Sequence, residues 1–317
     1  MRVDEVFKQA ASQGTAPVSF EMFPPKGELT LDTAREVAGN LCKLSPSFVS
    51  VTCSAGGSGN GATTAPIAHM ISSEFDTPSV AHLTCVGRSH ADIAAKIDEY
   101  RTAGVENILA LRGDLPAGAT EDDKPASDYV YARDLIPELV DAGFCVGAAA
   151  YPEGHIACRS LEADISFLKQ KQDNGADFII SQLCWDMEQF KYWLDAIREA
   201  GVTMPVDVGV MPILDQAATI NMALSRNGCV MDSELCRLIS RNWLFPNPFN
   251  AKDADGKPFD MFYEDKVKRF KEEGIEYTIR QIDEYRALGV DGIHLYALNK
   301  WKDVSEIIDR SGLRTLI

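Results

Sequence analysis

The sequence has no Cys-x-x-Cys pair. Its eight cysteines are scattered at 42, 53, 85, 145, 158, 184, 229 and 236. Such spacing argues against zinc ribbons and iron–sulfur cradles. Several of these cysteines, such as Cys53, Cys85 and Cys145, sit inside apolar runs. Free core thiols in a reducing compartment are therefore expected. No run of about 18 apolar residues exists, so no membrane span is expected. The first residues, Met1 to Phe7, carry no apolar signal core, and a cytoplasmic location is expected. Positive charge is scarce: 31 Lys and Arg face 47 Asp and Glu, a net charge of −16. That balance disfavours nucleic acid or an anionic membrane as the main partner. It still leaves room for a local basic pocket around a phosphorylated cofactor. No strand is followed by Gly-x-Gly-x-x-Gly, no serine nucleophile elbow appears, and no His-Glu-x-x-His or His/Asp metal cluster is evident. No metal is expected.

What is present is a regular alternation. Short apolar runs occur at Val18–Phe23, Phe48–Cys53, Ser79–Thr84, Asn107–Arg112, Cys145–Ala150, Phe178–Leu183, Val206–Met211 and Gly292–Ala297. Most are nearly continuous, as parallel strands covered on both faces should be. Helical patterns fill the gaps at Leu31–Lys43, Pro66–Glu74, His90–Ala103, Ala126–Asp141, Leu161–Asn174, Asp186–Ala200, Gln216–Ser225 and Asp265–Ala287. Further helices are expected at Ser233–Trp243 and at the C-terminus. Gly104, Gly175 and Gly289 each follow a helical pattern just before a strand, where a left-handed turn is needed. Eight βα units in 317 residues predict a (β/α)₈ TIM barrel forming one domain over residues 1–317. A doubly wound open sheet is the alternative. Two insertions stand out. Gly56–Thr64 is glycine-rich and follows the second strand. Trp243–Tyr263 is rich in aromatics and proline, precedes the last helix and strand, and is expected to pack as a lid, an interface or a cover.

The segment Ser19-Phe20-Glu21-Met22-Phe23-Pro24-Pro25-Lys26 carries one carboxylate on an apolar strand that two prolines should stop. Alternation puts Val18, Phe20 and Met22 on one face and Ser19, Glu21 and Phe23 on the other. Glu21 is then either paired to a cation or used chemically. Catalytic groups of such barrels gather at the C-terminal strand ends. Those ends offer Glu21, Thr52, His82, Arg112-Gly113-Asp114, Tyr151-Pro152-Glu153-Gly154-His155, Gln182, Asn299 and Lys300. Singly, each has a plain alternative: His82 as a satisfied core histidine, Arg112 and Asp114 as a surface pair, Gln182 as a loop cap. Jointly, an acid, a second carboxylate and amide donors suit proton transfer beside a bound cofactor.

These segments, with Phe48-Val49-Ser50-Val51-Thr52, Ala81-His82-Leu83-Thr84-Cys85, Leu109 to Pro116, Ala149 to His155 and Leu295-Tyr296-Ala297-Leu298-Asn299, resemble the methylenetetrahydrofolate reductase family. The matches run in order along nearly the whole chain. The resemblance implies a (β/α)₈ flavoprotein of one-carbon metabolism, linked to methionine biosynthesis. It would reduce 5,10-methylenetetrahydrofolate to 5-methyltetrahydrofolate, using FAD and NADH or NADPH in a ping-pong cycle. It assigns Glu21 as general acid and Asp114 as the carboxylate near flavin and folate. For FAD it nominates Thr52, His82, Arg112, Gly113, Asp114, Tyr131, Ala132, Tyr151, His155, Asp164 and Lys171. For substrate it nominates Glu21, Asp114, Gln182, Met222 and Lys300. A homo-oligomer is expected.

The sequence also departs from the family pattern. Phe167 and Gln170 stand where Asn and Arg are common, so a weaker or rearranged grip on the cofactor's outer part is expected. Ala218 replaces a folate-contacting Gln, Met222 an aromatic that stacks on nicotinamide, and Lys300 an Arg. With the aromatic insertion, these changes keep two alternatives open. One is the same folate chemistry fed by a partner redox protein. The other is a flavin-free pterin-binding methyltransferase on the same fold.

Overall fold

A computed structural model describes residues 1–24, 31–53, 63–114, 126–225, 228–243, 263–297 and 299–313. Pro25, Lys26, most of the glycine-rich loop, Leu115, Pro116, residues 244–262 of the aromatic insertion and Leu298 lie outside the described residues. Eight parallel strands close into a barrel: β1 (Val18–Met22), β2 (Phe48–Val51), β3 (Ser79–Thr84), β4 (Asn107–Leu111), β5 (Cys145–Ala150), β6 (Phe178–Ser181), β7 (Val206–Val210) and β8 (Gly292–Tyr296). Each strand pairs with the next, and β8 returns to β1. That last pairing excludes an open sheet.

The described helices are α1 (Val3–Gln13), α2 (Leu31–Cys42), α3 (Thr64–Glu74), α4 (His90–Thr102), α5 (Ala132–Asp141), α6 (Leu161–Asp173), α7 (Met187–Glu199), α8 (Gln216–Leu224), α9 (Ser233–Arg241), α10 (Tyr263–Ala287) and α11 (Trp301–Ser311). Side-chain caps set several starts. Ser89 and Asp92 form a reciprocal capping box on α4, and Asp186, Asp215 and Asp232 cap α7, α8 and α9. Gly104, Gly175 and Gly289 all adopt positive φ between helix and strand, as anticipated.

Two features differ from expectation. The first is α1, an element absent from the expected set. Its buried residues Val3, Val6, Phe7 and Ala10 follow helical spacing and cover the N-terminal end of the barrel. Val3 N donates to Asn107 Oδ1 at 2.8 Å, at the start of β4. The second is the start of α5, at Ala132 and not Ala126. The preceding backbone is drawn into side-chain bonds instead: Val130 N and Tyr131 N both donate to the Asp134 carboxylate.

Strand alternation sorts side chains as expected. Val18, Phe20 and Met22 pack outward with Ala34, Ala38 and Leu41 of α2. Ser19 and Glu21 face the barrel axis. The interior therefore has layers. At the bottom, Phe7, Phe48 and Phe178 form an aromatic floor with ring centroids 6.1 to 6.4 Å apart. Above it lie Ser19, Ser50, Asp207 and His294, all fully buried. At the top come Glu21, His82 and Tyr296.

The floor should matter for stability. Phe178 is fully buried between two other rings. Phe178→Ala should lower unfolding free energy by about 3–5 kcal/mol in urea titrations. A loss below about 1 kcal/mol would mean that the floor collapses around the gap and is not a rigid layer.

Candidate active site

Glu21 is held at the barrel rim by its backbone. Ala297 N donates to Glu21 O at 3.1 Å, and Thr52 N donates to Met22 O at 3.1 Å. Asn299, in a left-handed conformation with φ 56°, clamps the next residue. It accepts from Phe23 N at 3.2 Å and donates to Phe23 O at 3.3 Å. Pro24 follows with no N–H to continue the ladder. β1 thus ends one turn of the pleat beyond Glu21.

The Glu21 side chain is only 13% exposed. Burial raises its proton affinity, and nearby His294 partly opposes that. His82 Nε2 lies 3.8 Å from Glu21 Oε2. Burial, with His294 adding to it, pushes the His82 imidazole down to about 3. His82 is therefore neutral at physiological pH and makes no ion pair that would strip Glu21 of its proton. Tyr296 is the β8 register partner of Glu21. Its hydroxyl donates to Ser181 O at 3.1 Å and lies 3.4 Å from Gln182 Oε1. The structure thus brings Glu21, His82, Tyr296 and Gln182 to one rim.

A second group lines a cleft beside this rim, with about 890 Å³ of space including open solvent. It contains Arg112, Tyr131, Ala132, Tyr151, His155, Asp164 and Lys171. Lys171 Nζ donates to Ala149 O at 2.7 Å. Burial pulls Lys171 down to about 8, opposed by Asp164, and burial raises Asp164, opposed by Lys171. An anion in the cleft would raise the proton affinity of Lys171 again. Burial pushes Tyr151 up to about 12, with Asp164 and Asp114 reinforcing and Arg112 opposing. Tyr151 and Glu21 both act electrostatically on Tyr296, so Tyr151 stands between cleft and rim. Gly113 has φ 88°, and a Cβ there would fall 2.9 Å from Thr84 Cβ. Only glycine lets the chain turn so closely between Arg112 and Asp114.

Phe167 also lines the cleft. Its ring stacks on Tyr131, with centroids 6.3 Å apart and planes 18° from parallel. The Arg133 guanidinium lies 4.7 Å from the Tyr131 ring and 4.6 Å from the Phe167 ring. Phe167 thus forms an aromatic part of the cleft wall with Tyr131. Gln170 is not part of the cleft wall.

The other nominated residues are placed apart from that wall. Thr52 follows β2 and Asp114 is exposed after β4. Met222 packs against the cluster of Leu183, Trp185 and Met211, and Lys300 is exposed at the start of α11. Four buried polar residues escaped the sequence reading: Ser19, Ser50, Asp207 and His294. The signal was present, since polar residues recur at alternate positions of apolar strands. No cluster of three metal-ligating side chains occurs among the described residues. None of the described helices is long and apolar enough to cross a membrane.

Comparison with known proteins gives a family match. The model of the family described as methylenetetrahydrofolate reductase matches residues 6–233. Methylenetetrahydrofolate reductase 1 of Schizosaccharomyces pombe is 31% identical over 302 residues, covering 93% of this chain and 46% of the relative. A probable methylenetetrahydrofolate reductase (NADH) of Oryza sativa subsp. japonica is 30% identical over 325 residues, covering 99% of this chain and 51% of the relative. The chain thus spans about half the length of these relatives. A solved structure of a Clostridium thermocellum protein, described as binding two copies of 5-methyl-5,6,7,8-tetrahydrofolic acid, shares the fold with a TM-score of 0.57 at 12% identity. The match covers 96% of this chain and 99% of that one.

Glu153, in the Tyr151–His155 segment, links two loops at this end of the barrel. Its carboxylate accepts from Val230 N at 3.0 and 3.2 Å. Burial nevertheless raises it from 4.5 to about 7. An acid raised on folding stabilises the fold below its unfolded value, and that contribution disappears as pH rises through the folded value. Glu153→Gln should therefore flatten the fall in Tm between pH 5 and pH 8. An unchanged Tm slope in thermal scans across that range would count against this assignment.

Proposed function

The chain belongs to the methylenetetrahydrofolate reductase family, and from that premise we propose that it reduces 5,10-methylenetetrahydrofolate to 5-methyltetrahydrofolate with bound FAD and NADH. The observation that carries this proposal is Glu21: a buried carboxyl at the barrel rim, held toward its protonated form and facing a neutral histidine. A general acid must still hold its proton near neutral pH, and burial without a paired cation achieves that.

The cleft suits FAD. Arg112 and Lys171 would offset the two phosphates, and the Tyr131–Arg133–Phe167 stack offers a face to the adenine. Bound FAD, reduced by the donor, supplies hydride chemistry. The protein's own residues do the rest. Glu21 gives its proton to the bridging nitrogen of the folate. The C–N bond breaks, its electron pair stays on that nitrogen, and the carbon becomes a cationic iminium that accepts hydride. Asp114 stabilises that positive charge. The Gln182 amide orients first the nicotinamide and then the folate. Because both flat molecules need one face of the same ring system, they bind in turn, in a ping-pong cycle. NADH is preferred as donor by likeness to the rice relative, whose name specifies it. We further propose that residues 1–317 form one domain, since α1 and α11 both pack on the barrel core.

Two outcomes are expected. Purified protein should carry yellow flavin absorbance, and Glu21→Gln should abolish oxidation of reduced flavin by 5,10-methylenetetrahydrofolate in stopped-flow mixing. NADH should still bleach the flavin of that variant at close to the normal rate. Equal loss in both half-reactions would remove Glu21 from the acid's role. Separately, Phe167→Ala should weaken FAD binding about tenfold while sparing FMN, because an adenine stack is worth roughly 1 kcal/mol or more. Equal effects on FAD and FMN, measured by fluorescence titration, would place the adenine elsewhere.

A further inference from the structure

Beneath Glu21 lies a polar layer to which the chemistry above gives no part. Ser19 on β1, Ser50 on β2, Asp207 on β7 and His294 on β8 come from four adjacent strands, and all have 0% exposure. Ser19 Oγ lies 2.6 Å from Asp207 Oδ2 and 2.6 Å from His294 Nδ1. His294 Nε2 lies 3.2 Å from Ser50 Oγ. Direct contact between Asp207 and His294 is longer, at 3.6 Å, so the serine hydroxyl is the bridge. The other Asp207 oxygen, Oδ1, has no hydrogen-bond partner. Gly292 stands against it, where any Cβ would overlap the carboxylate. Phe48, a ring of the aromatic floor, stacks under His294 with centroids 6.0 Å apart. The floor thus closes this layer from below.

A serine hydroxyl has one proton, which fixes how the bridge can work. When Ser19 donates to Asp207, it must accept from His294 Nδ1–H. With Nε2–H donating to Ser50, the imidazole is then a cation beside an Asp207 carboxylate. If the Nδ1 proton moves to Ser19 and the serine proton moves to Asp207, the bridge reverses. Asp207 becomes a neutral acid, His294 a neutral imidazole, and Ser19 is unchanged. No proton is gained or lost. The two arrangements differ in whether positive charge lies under Glu21.

We propose that Asp207, Ser19 and His294 form a proton-sharing relay whose charge distribution sets how tightly Glu21 holds its proton. They are positioning residues, since none touches substrate. The relay depends on Glu21 being the acid proposed above. Its reach rests on geometry. Ser50, which lies 3.2 Å from His294 Nε2, is the β2 register partner of Glu21, and the His294 ring packs 5.8 Å from that of Tyr296, the β8 partner of Glu21. A positive charge on His294 opposes the effect of burial on Glu21. Burial favours the neutral form of Asp207, and the nearby His294 and the Ser19 hydroxyl oppose that. The groups around the relay are few. His82 faces Glu21 from β3, Tyr296 and His294 face it from β8, and Asp291 acts on Asp207 from outside the barrel. β2 and β6 contribute the uncharged Ser50 and Gln182.

The test uses the flavin-loaded protein, with its flavin photoreduced to bypass the donor. The rate of flavin oxidation by 5,10-methylenetetrahydrofolate is recorded against pH. It should fall at high pH as Glu21 loses its proton. Asp207→Asn and His294→Gln both remove the cation, so in each the midpoint should move upward by about one pH unit, a tenfold gain in proton affinity. Ser19→Ala should move it the same way. A purely structural role would lower the rate at every pH with the midpoint in place, and that result would overturn the relay. Because a barrel variant can fail to fold, the unmutated protein supplies a second readout. It has five histidines, so the ¹⁵N imidazole signals can be assigned singly. Coupling is reciprocal, so at high pH, where Glu21 is ionised, Glu21→Gln should change the balance of the two arrangements and move the His294 imidazole ¹⁵N signals. An unmoved His294 signal overturns the relay. A Glu21→Gln protein that keeps its full folate rate overturns the acid assignment instead, and the two failures are therefore distinct.

Discussion

The pairing of β8 with β1 is the constraint on which this molecule depends. It closes the sheet and turns one strand face into a buried interior. In register, it sets Ser19 opposite His294 and Glu21 opposite Tyr296. Every ionisable group at these positions then lives in low dielectric, where burial disfavours charge. Glu21 and Asp207 are pushed toward neutral acids and His82 toward neutral imidazole by the same cause. Closure is thus both the architecture and the source of the chemistry.

The candidate site is divided by that architecture. The proton chemistry proposed for Glu21 belongs to the barrel axis, where groups are enclosed and burial disfavours charge. The charged side chains of Arg112, Lys171 and Asp164 instead line the cleft beside it, together with the rings of Tyr131, Tyr151 and Phe167. Tyr151 stands between the two, sensing charges of the cleft and acting on Tyr296 at the axis. A cofactor spanning both regions would keep its phosphates near the cations and its reactive ring near Glu21.

Much of the fold was legible in the chain. Near-continuous apolar strands and helix-ending glycines are local signals, and each became the expected element. The helix α1 was equally legible from Val3, Val6, Phe7 and Ala10, but a short segment before the first strand has no neighbour in the sequence to show what it covers. The start of α5 was misplaced because Asp134 captures two backbone amides that periodicity cannot see. Against the family pattern, Phe167 implied a weaker or rearranged grip on the cofactor. Its stack with Tyr131 and Arg133 is a tertiary contact between α6 and the start of α5.

The sequence by itself determined the number of strands, the face on which Glu21 lies, the stop that Pro24 imposes after it, and the family to which the chain belongs. These follow from local rules: period-two alternation, the missing amide of proline, and ordered motifs. Only the tertiary structure decided which polar residues meet. Ser19 and His294 are 275 positions apart, and Ser19 and Asp207 are 188 apart. Such contacts arise from barrel closure and strand register, and so does the burial that fixes their protons. No local pattern carries that information, because the charge state of a buried group depends on everything folded around it.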